Sequence, residues 1–324
     1  MTCRPSPDRR NPPPPRRALP ALALSCLLAL PVPFGCRDAG PGNGGTGSGN
    51  GGGAAAQADP PTADRPMISL HEAVVASNMA EIQRNLAWGA DINVHNAVED
   101  TPLHIAVRRN LREITLYLLD HGADIEARGD HGRTPMHIAA RNSDGEMVLL
   151  LLSRGADINA ANENGNTPLH ESMVTNSSIM ASLLLEHGAD VNARNVLGAA
   201  PLTAAAMLDR RDLATVLLEH GADANIAEHR TREAPGHKAA KYGNSYVLEY
   251  LLEHGADVNL PGPGGLTMLH LAAQQGHAEV AALLIARGAD INARTDAGVT
   301  PMAFASENGH AAIVQLLATA GGSQ

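Results

Sequence analysis

The sequence predicts an all-α solenoid of about eight stacked helix–turn–helix units, preceded by a signal-like segment and a disordered linker. Three observations predict it. A Gly-Ala-Asp triplet starts at Gly89, Gly122, Gly155, Gly188, Gly221, Gly255 and Gly288, at intervals of 33, 33, 33, 33, 34 and 33 residues. A proline holds a fixed phase at Pro102, Pro135, Pro168, Pro201, Pro235 and Pro301; Met268 replaces it once, and Ser69 holds the equivalent place before them. Aromatic residues are only 2% of the chain, which suits a core of Leu, Val and Ala between thin helices. A period in this range marks a stacked array.

Residues 1–36 have the order of an export signal. Arg9, Arg10, Arg16 and Arg17 give a positive start, a mostly apolar run follows from Ala18 to Phe34, and Gly35-Cys36 ends it. The Gly-Cys ending before a Gly-rich tether resembles a bacterial lipoprotein signal, which implies Cys36 as the lipid-bearing first residue of the mature chain. Plain secretion and an uncleaved anchor are the alternatives. Cleavage before Cys36 would remove five arginines and one aspartate, taking the net charge from −10 to −14. Residues 37–66 are a Gly-rich flexible linker. All three cysteines, Cys3, Cys26 and Cys36, precede the array, so the array has no thiol, disulfide or Cys-based metal site.

The array, residues 67–324, divides near 67–99, 100–132, 133–165, 166–198, 199–231, 232–265, 266–298 and 299–324. Within a unit each residue type has a mechanical reason. Thr134 can cap a helix with its hydroxyl, and Pro135 suits a first turn that needs no N–H. Ala139 and Ala140 let a second helix lie close, and Met147 to Leu152 supply that helix's apolar side. Gly155 ends it because glycine enters the left-handed region without cost. Two such helices cannot bury their apolar faces alone, so neighbours share the stabilisation. The first unit should carry a wettable cap through Arg84 and Asn85, and polar Ser323-Gln324 closes the last; caps at both ends suggest a complete array.

Thr101-Pro102-Leu103-His104, Thr134-Pro135-Met136-His137, Thr167-Pro168-Leu169-His170 and the triplets resemble the ankyrin repeat family over residues 67–324. The resemblance implies a curved solenoid that holds another protein on the concave surface of turn tips and first helices. It also implies that Asn93, Asn159, Asn192, Asn225, Asn259 and Asn292, with Glu126 as the exception, tie the turn backbone together.

His71, His104, His137, His170, His237 and His270 recur in register. Stacked helices lie roughly 8–10 Å apart whereas metal–nitrogen bonds are about 2 Å, so these histidines should bond turns within or between units rather than share a metal. The set His121, His187, His220 and His254 should complement helix C-termini. No catalytic constellation is present, and neither cofactor nor metal is expected. Nucleic acid is disfavoured by the acidic balance.

Function must then lie where units differ. Arg108, Arg109, Arg133 and Arg141 occupy variable places on the second and third units. Val196, Leu197, Met207 and Leu208 form a candidate apolar patch on the fifth, or else cover one another between turns. The sixth has a longer turn with Arg230 and Arg232, the chain's two lysines, Lys238 and Lys241, and Tyr242, Tyr246 and Tyr250. Tyr242 should face the groove, Tyr246 should be partly exposed and Tyr250 should be core. These residues are the candidate binding strip, with aromatic and Arg anchors of the interface type. Left-handed breaks filled by Asn110, Ser143, Asn176 and Asp209, against Gly243, Gly276 and Gly309 later, should make units one to four exchange amide hydrogens earlier than six to eight. The expected protein is a monomeric, non-enzymatic scaffold, exported to the periplasm or cell surface and membrane-attached only through its N-terminus. The alternatives are an inhibitor or immunity-type protein that blocks an enzyme, and a secreted effector.

Overall fold

The computed structural model describes residues 65–323; the signal-like segment, Cys36 and nearly all of the linker lie outside the described residues. Sixteen α-helices form eight pairs, with no strand among the described residues. The pairs are α1 (Leu70–Val75) with α2 (Met79–Ala87), α3 (Pro102–Arg108) with α4 (Arg112–Asp120), α5 (Pro135–Arg141) with α6 (Gly145–Ser153), and α7 (Pro168–Thr175) with α8 (Ser178–Glu186). Then come α9 (Pro201–Met207) with α10 (Arg211–Glu219), α11 (Pro235–Tyr242) with α12 (Ser245–Glu253), α13 (Met268–Gln275) with α14 (Ala278–Ala286), and α15 (Pro301–Glu307) with α16 (Ala311–Thr319). No described helix is long and apolar enough to cross a membrane.

First helices pack between the first helices of both neighbours and are buried along most of their length, as Pro135 to Ala140 are in α5. Second helices bury one side only. Their central leucines, Leu118, Leu151, Leu184, Leu217, Leu251, Leu284 and Leu317, form one column at the repeat period, each fully buried. Each such side chain contributes about 2 kcal/mol by burial, and it is contact with an adjacent unit that completes the cover.

Two polar ladders fix the stacking. In the first, the capping histidine bridges units. The Thr101 amide donates to His104 Nδ1 at 3.2 Å, while His104 Nε2 donates to the Arg133 carbonyl at 2.9 Å. His137 and His170 repeat the arrangement toward the carbonyls of Asn166 and Ala199. Each ring thus satisfies its own helix start and the next turn, as a neutral imidazole protonated on Nε2. In the second ladder, Asn159 accepts from the Asp190 amide at 2.8 Å and donates to the Gly188 carbonyl at 3.2 Å. Glu126 keeps the accepting half, from the Asp157 amide, and has no amide hydrogen for the donating half.

The break between helices is left-handed in every unit: Ser77, Asn110, Ser143, Asn176 and Asp209, then Gly243, Gly276 and Gly309. The two glycines before the last also make room. A Cβ on Gly243 would lie 2.7 Å from His277 Nδ1, and one on Gly276 would lie 2.7 Å from the His310 ring.

The first unit differs from expectation in two ways. Ser69 stands in the proline's register, but it acts as the N-cap in a capping box with Glu72, so the first helix starts one residue later than in the other units. Asn85 is buried instead of wet: its amide donates to the carbonyls of Ile68 and Glu81, tying the entering chain to α2. Glu81 is likewise buried and accepts from the Met67 amide while pairing with Arg84.

Candidate protein-binding groove

The residue before each cap lends only its carbonyl to the histidine ladder, so its side chain, with those at the end of each first helix, is free to vary. On the second and third units these line an open groove of about 410 Å³, bounded by Val98, Asp100, Asp130 and Arg133 of the turns and Arg108, Ile138, Arg141 and Asn142 of the helices. Arg108 and Arg141 end α3 and α5, so they project at the same level one unit apart. Arg133 directly precedes the Thr134 cap.

Carboxylates hold these guanidinium groups in place. Arg108 pairs with buried Asp100. Arg133 lies 3.3 Å from Asp130 and 3.5 Å from Glu171, and Arg141 lies 3.3 Å from the other Glu171 oxygen. Glu171 belongs to α7 and is itself buried, so the network reaches into the fourth unit. Behind the groove the bridging histidines are held neutral. Burial is the main cause, and it takes His137 and His170 down to about 4 against an ordinary 6.5.

The structure therefore brings together three of the four sequence-picked arginines. Arg109 is exposed but does not line the groove. The strip on the fifth and sixth units needs correction. Val196 is 62% exposed, whereas Met207 is only 7% exposed, and Leu197 and Leu208 are half-buried. Met207 sits deep because its neighbours in the first-helix layer cover it, so the continuous apolar patch reduces to Val196 with the partly covered leucines. Arg230 and Arg232 are exposed, and Arg232 is left-handed at φ 55° in the turn place that Gly132, Gly165 and Gly198 hold in earlier units.

Lys238 is not a surface cation. It is buried between Glu228, at 3.1 Å, and Glu233. Burial opposes the charged ammonium, but the two carboxylates outweigh it and raise the Lys238 pKa. Lys241 stays partly exposed and reaches Glu233 at 3.4 Å, in the register that Arg108 and Asp100 use. Tyr242 and Tyr250 are half-buried, so Tyr250 is not core, and Tyr246 is 63% exposed with the Arg211 guanidinium 5.6 Å from its ring centre.

The groove residues that sequence reading passed over are Val98, Asp100, Asp130, Ile138, Asn142 and Glu171. A signal existed for Glu171. From the second unit on, it stands in a column otherwise filled by Ile105, Ile138, Ala204, Leu271 and Phe304, with Lys238 the other charged member. A charge in an apolar column must find a partner, and both do. Among the described residues no group of three or more His, Cys, Asp or Glu side chains could hold a metal ion.

The family model described as "Ankyrin repeats (3 copies)" matches residues 70–162, 160–228 and 236–324. No curated protein matches the chain.

Proposed function

The chain belongs to the ankyrin repeat family, whose repeats generally mediate protein–protein interaction, and from that premise we propose that it is a scaffold holding one partner protein. In this reading it is exported and attached to a membrane by a lipid on Cys36. One observation carries the binding half: the recurrent histidines and asparagines are mostly engaged in ladders, while the groove of the second and third units gathers side chains that vary between repeats. The export half is supported by the arginine start, the apolar run and Gly35-Cys36.

A photo-crosslinking residue in place of Asn142, which lines the groove, should capture a specific partner in cells. The same residue at Glu219, exposed at the end of α10, should not. If both positions or neither give a specific adduct, the groove is not the binding surface. Metabolic labelling with a palmitate analogue should mark the chain and fail with Cys36→Ser; equal labelling of both would refute the lipid anchor.

A further inference from the structure

We propose that the groove spanning the second to fourth units receives an extended acidic segment of the partner, with carboxylates seated on Arg133 and Arg141. The inference rests on the scaffold reading above. Charge-assisted bonds between guanidinium and carboxylate settle at roughly 2.7–2.9 Å. Most outer-face pairs are this close: Arg112–Glu146 is 2.6 Å, Arg154–Asp120 is 2.7 Å and Arg287–Glu249 is 2.7 Å, with Arg287–Glu253 longer at 3.2 Å. Within the groove the Arg108–Asp100 pair is close, whereas Arg133 and Arg141 stand 3.3–3.5 Å from their acids.

Donors are also left over. Arg133 Nε is buried and faces Glu171 at 3.5 Å as an ion pair without a hydrogen bond, so it is the terminal nitrogens that count. The pairs of Arg133 and Arg141 use one terminal nitrogen each, which leaves the second nitrogen of each fork to the groove. Asp100 and Glu171 are buried, so they anchor the arginines without presenting charge to a ligand. Asp130, by contrast, is only half-buried at the rim and would repel an incoming carboxylate. Exposed Val98 and the buried face of Ile138 supply apolar contact between the charges, so a strand of alternating acidic and apolar residues fits.

Fluorescence anisotropy of the full chain with a labelled peptide of alternating Glu and Leu, against its Gln and Leu counterpart, tests this. The Glu peptide should bind at least about tenfold more tightly, and binding should weaken several-fold between about 50 and 500 mM salt. Arg133→Lys and Arg141→Lys keep the charge but lose the planar fork, so each should weaken binding by about fivefold with an unchanged circular dichroism spectrum. Asp130→Asn should tighten it about threefold by removing the rim charge. Equal binding of the two peptides, indifference to salt, indifference to both lysine variants, or no binding of the Glu peptide overturns the proposal. The peptide titration judges this inference and the crosslinking judges the scaffold reading, so either can fail alone.

Discussion

At the scale of single residues, the capping histidine has the largest consequence. Where threonine precedes it, its ring closes its own helix start and bonds the next unit's carbonyl, as at His104, His137, His170 and His270. Burial lowers the pKa of His104, His137, His170, His237 and His270, with His137 and His170 at about 4. For His137 and His170 the unfolded chain takes up the proton near 6.5 and the folded chain only near 4. Between those values the unfolded state binds more protons, so stability is complete above about 6.5 and is lost as pH falls toward 4. For His137 and His170 the loss at about pH 5 is on the order of 2 kcal/mol each. Urea unfolding followed by circular dichroism should therefore show a clearly lower midpoint at about pH 5 than at about pH 7. A flat midpoint across that window would mean the histidines are not held neutral.

At the scale of the element, the break between helices shows what sequence carries and what it hides. The period located the left-handed residue of the second to eighth units, because proline and glycine phases fix where one helix stops and the next begins; Ser77 of the first unit, which lacks the proline, emerged only from the structure. It did not show that Gly243 and Gly276 serve a second purpose, which is to admit the rings of His277 and His310. That follows only once residues 34 apart are stacked, with those rings bonding the carbonyls of Lys241 and Gln274. Burial at the helix end was hidden for the same reason: Arg108 and Met207 share a register position, yet one is exposed and the other covered by its neighbours. The glycines make the distinction testable. At Gly309 a Cβ meets nothing within 4 Å, so Gly309→Ala should cost only the left-handed backbone penalty, about 1 kcal/mol. Gly243→Ala adds the clash with His277 and should cost at least about twice as much. Thermal melts of the two variants that coincide would show that backbone strain alone selects glycine here.

At the scale of the whole array, the ladders are uneven, and stability in stacked repeats is a sum of unit and interface contributions. The histidine bridge spans the junctions from the first unit to the fifth and again from the seventh to the eighth. At the fifth unit Thr203 replaces the histidine, and its buried hydroxyl has no partner among the described residues. At the sixth, which has the longer turn, Nε2 of His237 is buried without a well-formed hydrogen bond, although the Leu260 and Leu266 backbone lies near enough to favour its charged form. The asparagine ladder continues through both junctions, with Asn225 meeting the Asp257 amide and Asn259 the Asp290 amide, so the stack holds with fewer ties. A weakened interface in such an array divides its cooperativity. Urea unfolding should accordingly proceed in two steps, with hydrogen exchange assigning one step to units one to five and the other to the units after them. Thr203→Val removes a hydroxyl that bonds nothing and should be neutral or slightly stabilising. Ala200→Thr combined with Thr203→His restores the capping pair at this junction and should raise the first midpoint by about 1 kcal/mol of added stability. If the wild-type chain unfolds in one step, or if Thr203→Val destabilises it by more than about 1 kcal/mol, the fifth junction is not the weak one and the missing bridge is compensated by packing.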